Sequence, residues 1–426
     1  MLDNTGTRQL CYVCRIDDIK PIIGRDRVES AVIGGWTVMV RKDQFKPGDL
    51  GIYFEIDSKV PAEPPFEFLA AKHYKIKTQK YALKDENGNK VGQYWSQGLL
   101  MSAEDFGWEL TNTGQFAGGV DVIDTKVEGN DRYLVEGDFL TSRLKVTYSV
   151  EEDNKRKSNN PDAQINAALA RHPKIAKKFG KYIKKNKILR KLFLMTLGRK
   201  SKRASWPEWV QKTDEERVQN MTWILENKNP WFATEKIDGT STTFTLKRGK
   251  HSWNKNDYRV CSRNVCFDKP DKKCYYDETA GNVYLEMSEK YHMEDILTTL
   301  LNSDSNLDFV TIQGETYGAS VQKRDYSMKD HDLAVFNLIY GYKDGTKRRC
   351  NPREMTDTLT VFHLPCVPIV DEAFILPNTV EELLNIATGK SAIDGGMREG
   401  LVFRAADGTQ SFKAVSNEFL MRYHNG

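Results

Sequence analysis

Ala233-Thr234-Glu235-Lys236-Ile237-Asp238-Gly239-Thr240-Ser241 sets a lysine one residue before an Asp-Gly pair. From Thr240 the chain continues as Thr-Ser-Thr-Thr-Phe-Thr-Leu, β-branched and small, which predicts a strand leaving a tight turn at Asp238-Gly239. An amine at such a turn is partly desolvated. Nearby cations or a bound metal would lower its pKa further, as a neutral lysine nucleophile requires. Read alone, the tetramer Lys-x-Asp-Gly is equally an ordinary surface lysine before a hairpin, since short motifs recur by chance.

Downstream, a series of apolar, strand-like runs each carries one or two polar residues. Val260-Cys261-Ser262-Arg263-Asn264 holds Arg263, Val310 to Gly318 holds Glu315, Arg398 to Arg404 holds Glu399, and Ser411-Phe412-Lys413-Ala414-Val415 holds Lys413. Leu333 to Tyr340 adds an aromatic, Phe336. A core strand has no packing reason to keep such charges, and burying them unpaired is costly, so they are expected to face one shared cleft. Each alone also fits a strand-end salt bridge.

These strands need a scaffold, and 426 residues exceed a comfortable single domain. Residues 1–150 are expected to form the first domain, in which about Arg8 to Pro61 read as short strands, Cys11 to Ile16, Trp36 to Val40 and Leu50 to Ile56, separated by Gly34-Gly35 and Lys46-Pro47-Gly48-Asp49. This is a small β-barrel pattern. Lys75, Lys77 and Lys80 interleaved with Tyr81 and Trp95 suit an oligonucleotide-binding barrel, with the aromatics equally placed to be core. Gly118-Gly119 reads as an added surface loop. Residues 151–205 change character: a polar run from Glu151 to Pro161 precedes a segment, about Ala163 to Leu197, of helical periodicity. Its apolar residues Ile175, Phe179, Ile183, Leu189, Leu192 and Phe193 are expected near one face, with nine Lys and Arg from Lys174 to Lys191 opposite. Such a helix would hold a nucleic-acid backbone, the favoured reading, or a membrane surface, an acidic partner, or the flank of a neighbouring domain. Residues 206–426 form the remaining domain, with Lys212 to Asn220 leading into the lysine segment.

Composition narrows the class. The charged fraction is 29% against 39% hydrophobic, and no apolar run approaches a bilayer span. The start Met1-Leu2-Asp3-Asn4 does not read as a secretory signal. Seven scattered cysteines point to free thiols in a reducing compartment, cytoplasmic or otherwise intracellular. Cys11-Tyr12-Val13-Cys14 has metal-like spacing but no second pair, and its alternation favours a packed strand.

In its order Lys-x-Asp-Gly, Ser-Arg-Asn, Gly-Glu-x-Tyr-Gly, aromatic strand, Glu-Gly-Leu-Val and Phe-Lys, the chain resembles the covalent nucleotidyltransferases: DNA ligases, RNA ligases and capping enzymes. The barrel placed first, Lys-Thr-Asp-Glu-Glu-Arg-Val-Gln-Asn upstream of the lysine and Ser-Gln-Gly-Leu in the barrel make it most similar to the Naegleria-type ATP-dependent RNA ligases. The resemblance covers nearly all of the chain except the basic insert. It implies an α+β protein, an OB-like β-barrel followed by a ligase-type nucleotidyltransferase domain with antiparallel sheets and flanking helices. It further implies that Lys236 attacks ATP to give a lysyl-adenylate, that AMP passes to an RNA 5′-phosphate, and that a 3′-hydroxyl displaces it. Arg263 and Glu315 would hold the ribose, Phe336 would stack on adenine, Glu235 and the upstream Arg217, Gln219 and Asn220 would contact the nucleotide, and Asp238 would orient Lys236 or metal-bound water. Glu399 would hold Mg²⁺ or Mn²⁺, and Lys413 the α-phosphate. End-healing enzymes would be further partners. Many relatives have two lysines in the last motif, and Ser411 stands where the first would be. DNA ligases generally place the barrel after the transferase domain, which argues against that alternative; a capping-type guanylyltransferase and a catalytically inactive RNA-binding protein are the others.

Overall fold

The computed structural model describes residues 1, 8–106, 110–116, 120–127, 130–148, 165, 169, 173–196, 203–204, 206–249, 255–263, 265–267 and 282–424. The loop expected at Gly118-Gly119, the polar run from Glu151 and Asn264 lie outside them.

The expected alternation appears as strands Cys11–Arg15, Trp36–Arg41 and Leu50–Phe54. In the strand Cys11–Arg15 both cysteines are buried and free, so Cys11 and Cys14 pack the core instead of binding metal. Cys11–Arg15, Leu50–Phe54 and Leu99–Met101 make one antiparallel sheet; Asp18–Ile22, Arg25–Ile33 and Trp36–Arg41 make a second. The hairpin Gln79–Lys84 and Lys90–Ser96 turns at Asn87-Gly88-Asn89, with Gly88 at φ 83°. Lys80 lies over the ring of Trp95, 4.8 Å from its centroid, so this pair forms a cationic, aromatic outer surface. Two apolar clusters fill the interior, one around Phe54, Phe66 and Leu140, the other around Trp36, Tyr53 and Ile56. Val415 and Leu420, from the far end of the chain, complete the second. The first part is thus packed onto the second.

From Arg203 onward the chain builds two sheets. The larger runs, in order, Arg203–Ala204, Cys266–Phe267, Asp257–Ser262, Thr240–Lys247, Leu307–Gly318, His331–Tyr342 and Lys347–Arg349. The smaller runs Glu216–Arg217, Ser411–Val415, Gly400–Ala405, Trp231–Lys236 and Ile369–Phe374. Phe244 and Leu246 point to one face of the large sheet, where Leu285, Met287, Leu297 and Leu301 of the helices Val283–Lys290 and Met293–Asn302 cover them. The helix Val380–Ala387 covers the small sheet, its Leu383 and Leu384 on Trp231, Phe403 and Phe412. The sequence Lys-x-Asp-Gly is the crossover between sheets: Lys236 ends a strand of one and Thr240 begins a strand of the other.

The basic segment is two helices, Pro173–Lys185 and Lys187–Thr196, not one continuous amphipath. Asn186 interrupts it, its carboxamide oxygen accepting from the N–H groups of Ile188 and Leu189 at 2.9 and 3.2 Å, an N-cap for the second helix. The break rotates the apolar face. Ile183 and Phe193 pack with Ile165 and Leu169, whereas Phe179, Leu189 and Leu192 are exposed. Among the described residues no helix is long and apolar enough to cross a membrane.

Candidate active site

Residues spread over the second half of the chain converge where the two sheets meet. Lys236 Nζ donates to Glu399 Oε2 at 2.7 Å; the ladder opposes Lys236 to Gly400, so Glu399, the residue just before that strand, stands beside the end of the lysine's strand. Glu315 arrives from the other sheet, paired in register with Ser241. The turn between the sheets must be tight: a Cβ on Gly239 would stand 2.3 Å from the carbonyl oxygen of Thr316 and 2.9 Å from Glu315 Cγ. Tyr326 fixes that turn, its hydroxyl accepting from the Asp238 N–H at 2.7 Å, with the Arg324 guanidinium 3.6 Å over its ring.

Three carboxylates, Glu315, Glu399 and Asp238, crowd one amine. Burial pushes Glu399 up, against the pull of Lys236. Burial, and the repulsion of Glu399 and Asp238, push Glu315 up to about 8 in spite of Lys236 and Arg263. Burial pulls Lys236 down, but Glu399 and Glu315 outweigh it and raise the amine above its ordinary value. This corrects the expectation of a neutral lysine: alone with these acids, Lys236 is held as an ammonium. One carboxylate oxygen, Asp238 Oδ2, is buried with no hydrogen-bond partner.

Next to this anionic group lies a cationic one. Lys413 Nζ donates to Asp214 Oδ1 at 2.8 Å, Arg263 pairs with Asp214 Oδ2 at 2.6 Å, and Arg8 from the barrel approaches the same carboxylate at 3.6 Å. Arg217, buried, reaches Asp57 of the barrel at 3.3 Å, while its Nε and Nη1 have no partner. The surplus of positive charge is felt by both partners of the ion pair. Burial raises Asp214 but Lys413, Arg8 and Arg263 hold it far below the usual carboxylate range. Burial, with Arg8, Arg217 and Lys236 against the help of Asp214, pulls Lys413 down to about 8. A cluster richer in cations than anions, with orphan guanidinium N–H groups, suits a polyanion.

Phe336 is the extra residue of a β-bulge: Gln313 opposes Asn337 and Gly314 opposes Val335, leaving Phe336 unpaired in the ladder. Bulges re-aim side chains beside functional sites. Here the ring is half-buried beside Ile237, Tyr317 and Tyr326, and Arg404 donates to the Phe336 carbonyl. Glu235 is buried; its Oε2 accepts from the Ala392 N–H at 2.8 Å and its Oε1 has no partner.

Asn220 is turned toward the barrel. The Asn220 carboxamide oxygen accepts from Trp36 Nε1 at 2.7 Å and Tyr12 OH at 3.3 Å, and its nitrogen donates to Glu55 at 2.9 Å and Glu216 at 2.8 Å. Gln219 is buried against Gly34 and Gly35, whose N–H and Cα positions leave no room for a side chain. The structure therefore makes Asn220 a bolt between the domains, because its carboxamide is directed at the barrel; Gln219 contributes its backbone carbonyl, which accepts from the Gly35 N–H, while its buried carboxamide has no hydrogen-bond partner. Residues that sequence reasoning missed are Arg8, Glu55 and Asp57 of the barrel, Asp214, Tyr326 and His424. The last has Nε2 3.5 Å from Asp238 Oδ1. Asp214 alone lies in a motif, the upstream Lys-Thr-Asp-Glu-Glu-Arg-Val-Gln-Asn run, where nothing sets it apart from its acidic neighbours; the others carry none.

Comparison with known proteins adds the following. Residues 229–415 match the model of the RNA ligase family, and residues 10–103 that of an OB-fold domain. A comparison with curated proteins finds no match. Among solved structures, the Naegleria gruberi RNA ligase with pyrophosphate is 23% identical, covering 99% of this chain and 100% of its own, with a TM-score of 0.65. A variant of that ligase solved with ATP and manganese is 24% identical at a TM-score of 0.64, covering 98% of this chain and 100% of its own. Another, with AMP and manganese, gives the same four figures. At this identity the likeness establishes the fold: an OB-fold domain followed by a mixed α+β domain of antiparallel sheets and helices, although among the described residues the barrel strands fall into separate sheets without a closed ladder.

Proposed function

We propose that this chain, whose second domain belongs to the RNA ligase family, seals RNA 3′-hydroxyl and 5′-phosphate ends with ATP through an adenylate on Lys236. The observation that carries the reading is the adjacency of an amine ringed by carboxylates and a cation-rich cluster with orphan N–H groups. The first supplies a nucleophile, the second a seat for phosphates. Three parts divide the work: an OB-like domain over residues 1–150, a basic insert over 151–205 and the adenylyltransferase over 206–426. Six free thiols among the described residues suit a reducing intracellular compartment.

Lys236 Nζ forms a bond to the α-phosphorus of ATP as the bond to pyrophosphate breaks, and the amine gives up a proton. Lys413 takes the α-phosphate oxygens and Arg217 the outer phosphates, so charge in the transition state meets fixed cations. Arg263 and Glu315 hold the ribose. Phe336 stacks on adenine, and the orphan Oε1 of Glu235 is an acceptor suited to the exocyclic amine. Asp238 keeps Lys236 in line. The phosphoramidate then protonates at nitrogen and AMP passes to an RNA 5′-phosphate oxygen; an RNA 3′-hydroxyl displaces AMP and closes the strand.

The donor set fits a divalent cation: three carboxylates, two with raised pKa, and the buried unpartnered Asp238 Oδ2 all call for added positive charge. Among the described residues no group of three His, Cys, Asp or Glu side chains is placed to hold a metal ion, so Glu399 would hold Mg²⁺ or Mn²⁺ with the remaining ligands from ATP and water. When bound, such a cation would supply positive charge beside Glu399 and Asp238, which would favour the neutral form of the neighbouring Lys236 amine.

Incubation with α-labelled ATP and Mg²⁺ tests this. An acid-labile, base-stable label on the protein is expected, lost in Lys236→Ala, followed by sealing of nicked or paired RNA bearing 5′-phosphate. Label from GTP alone, or joining restricted to all-DNA nicks, would overturn the reading.

A further inference from the structure

The helices Pro173–Lys185 and Lys187–Thr196 play no part in the chemistry above, yet both ends of the insert that holds them are fixed beside it. On entering, the chain pairs Thr147-Tyr148 with Ser58-Lys59 of the barrel, and the Tyr148 ring lies 6.0 Å from the Arg263 guanidinium. On returning, Arg203-Ala204 pairs with Cys266-Phe267, three residues past Arg263. Arg263 in turn shares Asp214 with Lys413. The insert therefore leaves and rejoins the fold at the rim of the nucleotide cleft.

Its own packing keeps its outer surface available. Ile183 and Phe193 form a small core with Ile165 and Leu169, so the helix pair holds its shape without covering the rest. No acidic residue occurs from Ala163 to Pro207. Tyr182 is 70% and Phe179 48% exposed, one helical turn apart among Lys178, Lys181 and Lys185, with Lys178 Nζ 5.3 Å over the Phe179 ring. A single-sign field recruits an anionic partner, and rings set among lysines are what unpaired bases stack on. A lipid surface would use the same charge, but it gives no account of why the insert is tethered on both sides of Arg263.

We propose that this helix pair is a clamp for the RNA strand flanking the break, gripping phosphates through its lysines and unpaired bases through Phe179 and Tyr182. The inference rests on the RNA-ligase reading and names the part of the substrate that the catalytic cleft does not reach. In the full chain, Lys177, Lys178, Lys181, Lys184, Lys185 and Lys187 are exchanged together for Gln. Affinity for a 5′-phosphorylated single-stranded RNA is then measured against KCl concentration. The log–log slope should become less steep by about 0.7 for each phosphate that the helices no longer grip. Tyr182→Ala alone should weaken the same binding by about tenfold. Adenylation by ATP without RNA should match the parent protein in both variants, which also confirms folding. An unchanged salt slope with intact adenylation overturns the clamp, as does loss of binding to phosphatidylserine vesicles with RNA affinity untouched. If the parent protein fails to adenylate at all, the ligase reading has failed; an altered RNA slope would still support the clamp.

Discussion

The 2.7 Å contact between Lys236 Nζ and Glu399 Oε2 joins the residue expected to attack with the residue expected to hold the metal, and against the pull of burial the carboxylate helps raise the amine above its ordinary pKa. Glu399→Gln removes the strongest of the charges that raise the amine. In the ligand-free protein, the pH at which Lys236 becomes reactive to an amine-acylating probe should fall. Adenylation should nonetheless drop by about a hundredfold or more, because the carboxylate is needed once ATP arrives. An unchanged acylation profile would show that the contact does not govern the amine.

Glu315 gives the protein a pH-dependent stability. Its pKa is raised from 4.5 to about 8, chiefly by burial, so between these values the folded state keeps a proton that the unfolded state has lost. The contribution is full below pH 4.5 and is lost as pH rises through 8. Melting temperature of the ligand-free parent should therefore fall relative to Glu315→Gln between about pH 5 and 8, and parallel curves would refute the assignment.

Gly239 tests the turn between the sheets. A methyl group there meets the Thr316 carbonyl at 2.3 Å, and that oxygen is held in a sheet ladder. Gly239→Ala should displace Lys236 relative to Glu315 and cut adenylation by about a hundredfold, since an ångström of misplacement costs that much. The OB-fold domain should still bind RNA as before. Full activity in the variant would mean that the turn has slack.

How far the sequence reaches can be judged from these residues. Lys236, Glu315, Glu399 and Lys413 stand out because each interrupts an apolar strand, and the alternation that betrays them also gives the sheets that carry them. The bulge at Phe336 and the crossover at Lys-x-Asp-Gly were not legible, since both depend on which strands pair. Arg8, Glu55 and Asp57 were hidden for a different reason: their charges look like an ordinary solvated barrel face until Asn220 and Arg217 are packed onto it. The neutral lysine was misjudged because carboxylates far apart in sequence converge on it.

Asn220 should therefore act on stability more than on ATP. Its carboxamide makes four hydrogen bonds to Trp36, Tyr12, Glu55 and Glu216, and Glu55 is fully buried with its pKa held at about 2, where burial is outweighed by Arg8 and the N-terminal amine. Asn220→Ala leaves buried donors and acceptors unpaired and should cost about 2–4 kcal/mol in denaturant unfolding. The KM for ATP should move less than in Arg217→Ala; the reverse order would return Asn220 to the nucleotide site.

His424 completes the chain of contacts behind the lysine. Its Nε2 lies 3.5 Å from Asp238 Oδ1, its ring rests against Phe419 at 5.7 Å, and its carbonyl accepts from Lys77 of the barrel at 3.2 Å. Burial pulls its pKa down, but Asp238 and Glu399 raise it overall, so the imidazolium persists above the usual histidine range and steadies Asp238 as an anion. In the folded protein this pairing is present below the ordinary histidine pKa and fades as pH rises through the raised one. His424→Gln keeps a donor without the charge. Adenylation should slow by about tenfold at acid to neutral pH, in kcat and not in KM for ATP, with the difference from the parent shrinking as the parent's histidine deprotonates. A pH-independent loss would assign His424 to packing alone, and no loss would detach it from Asp238.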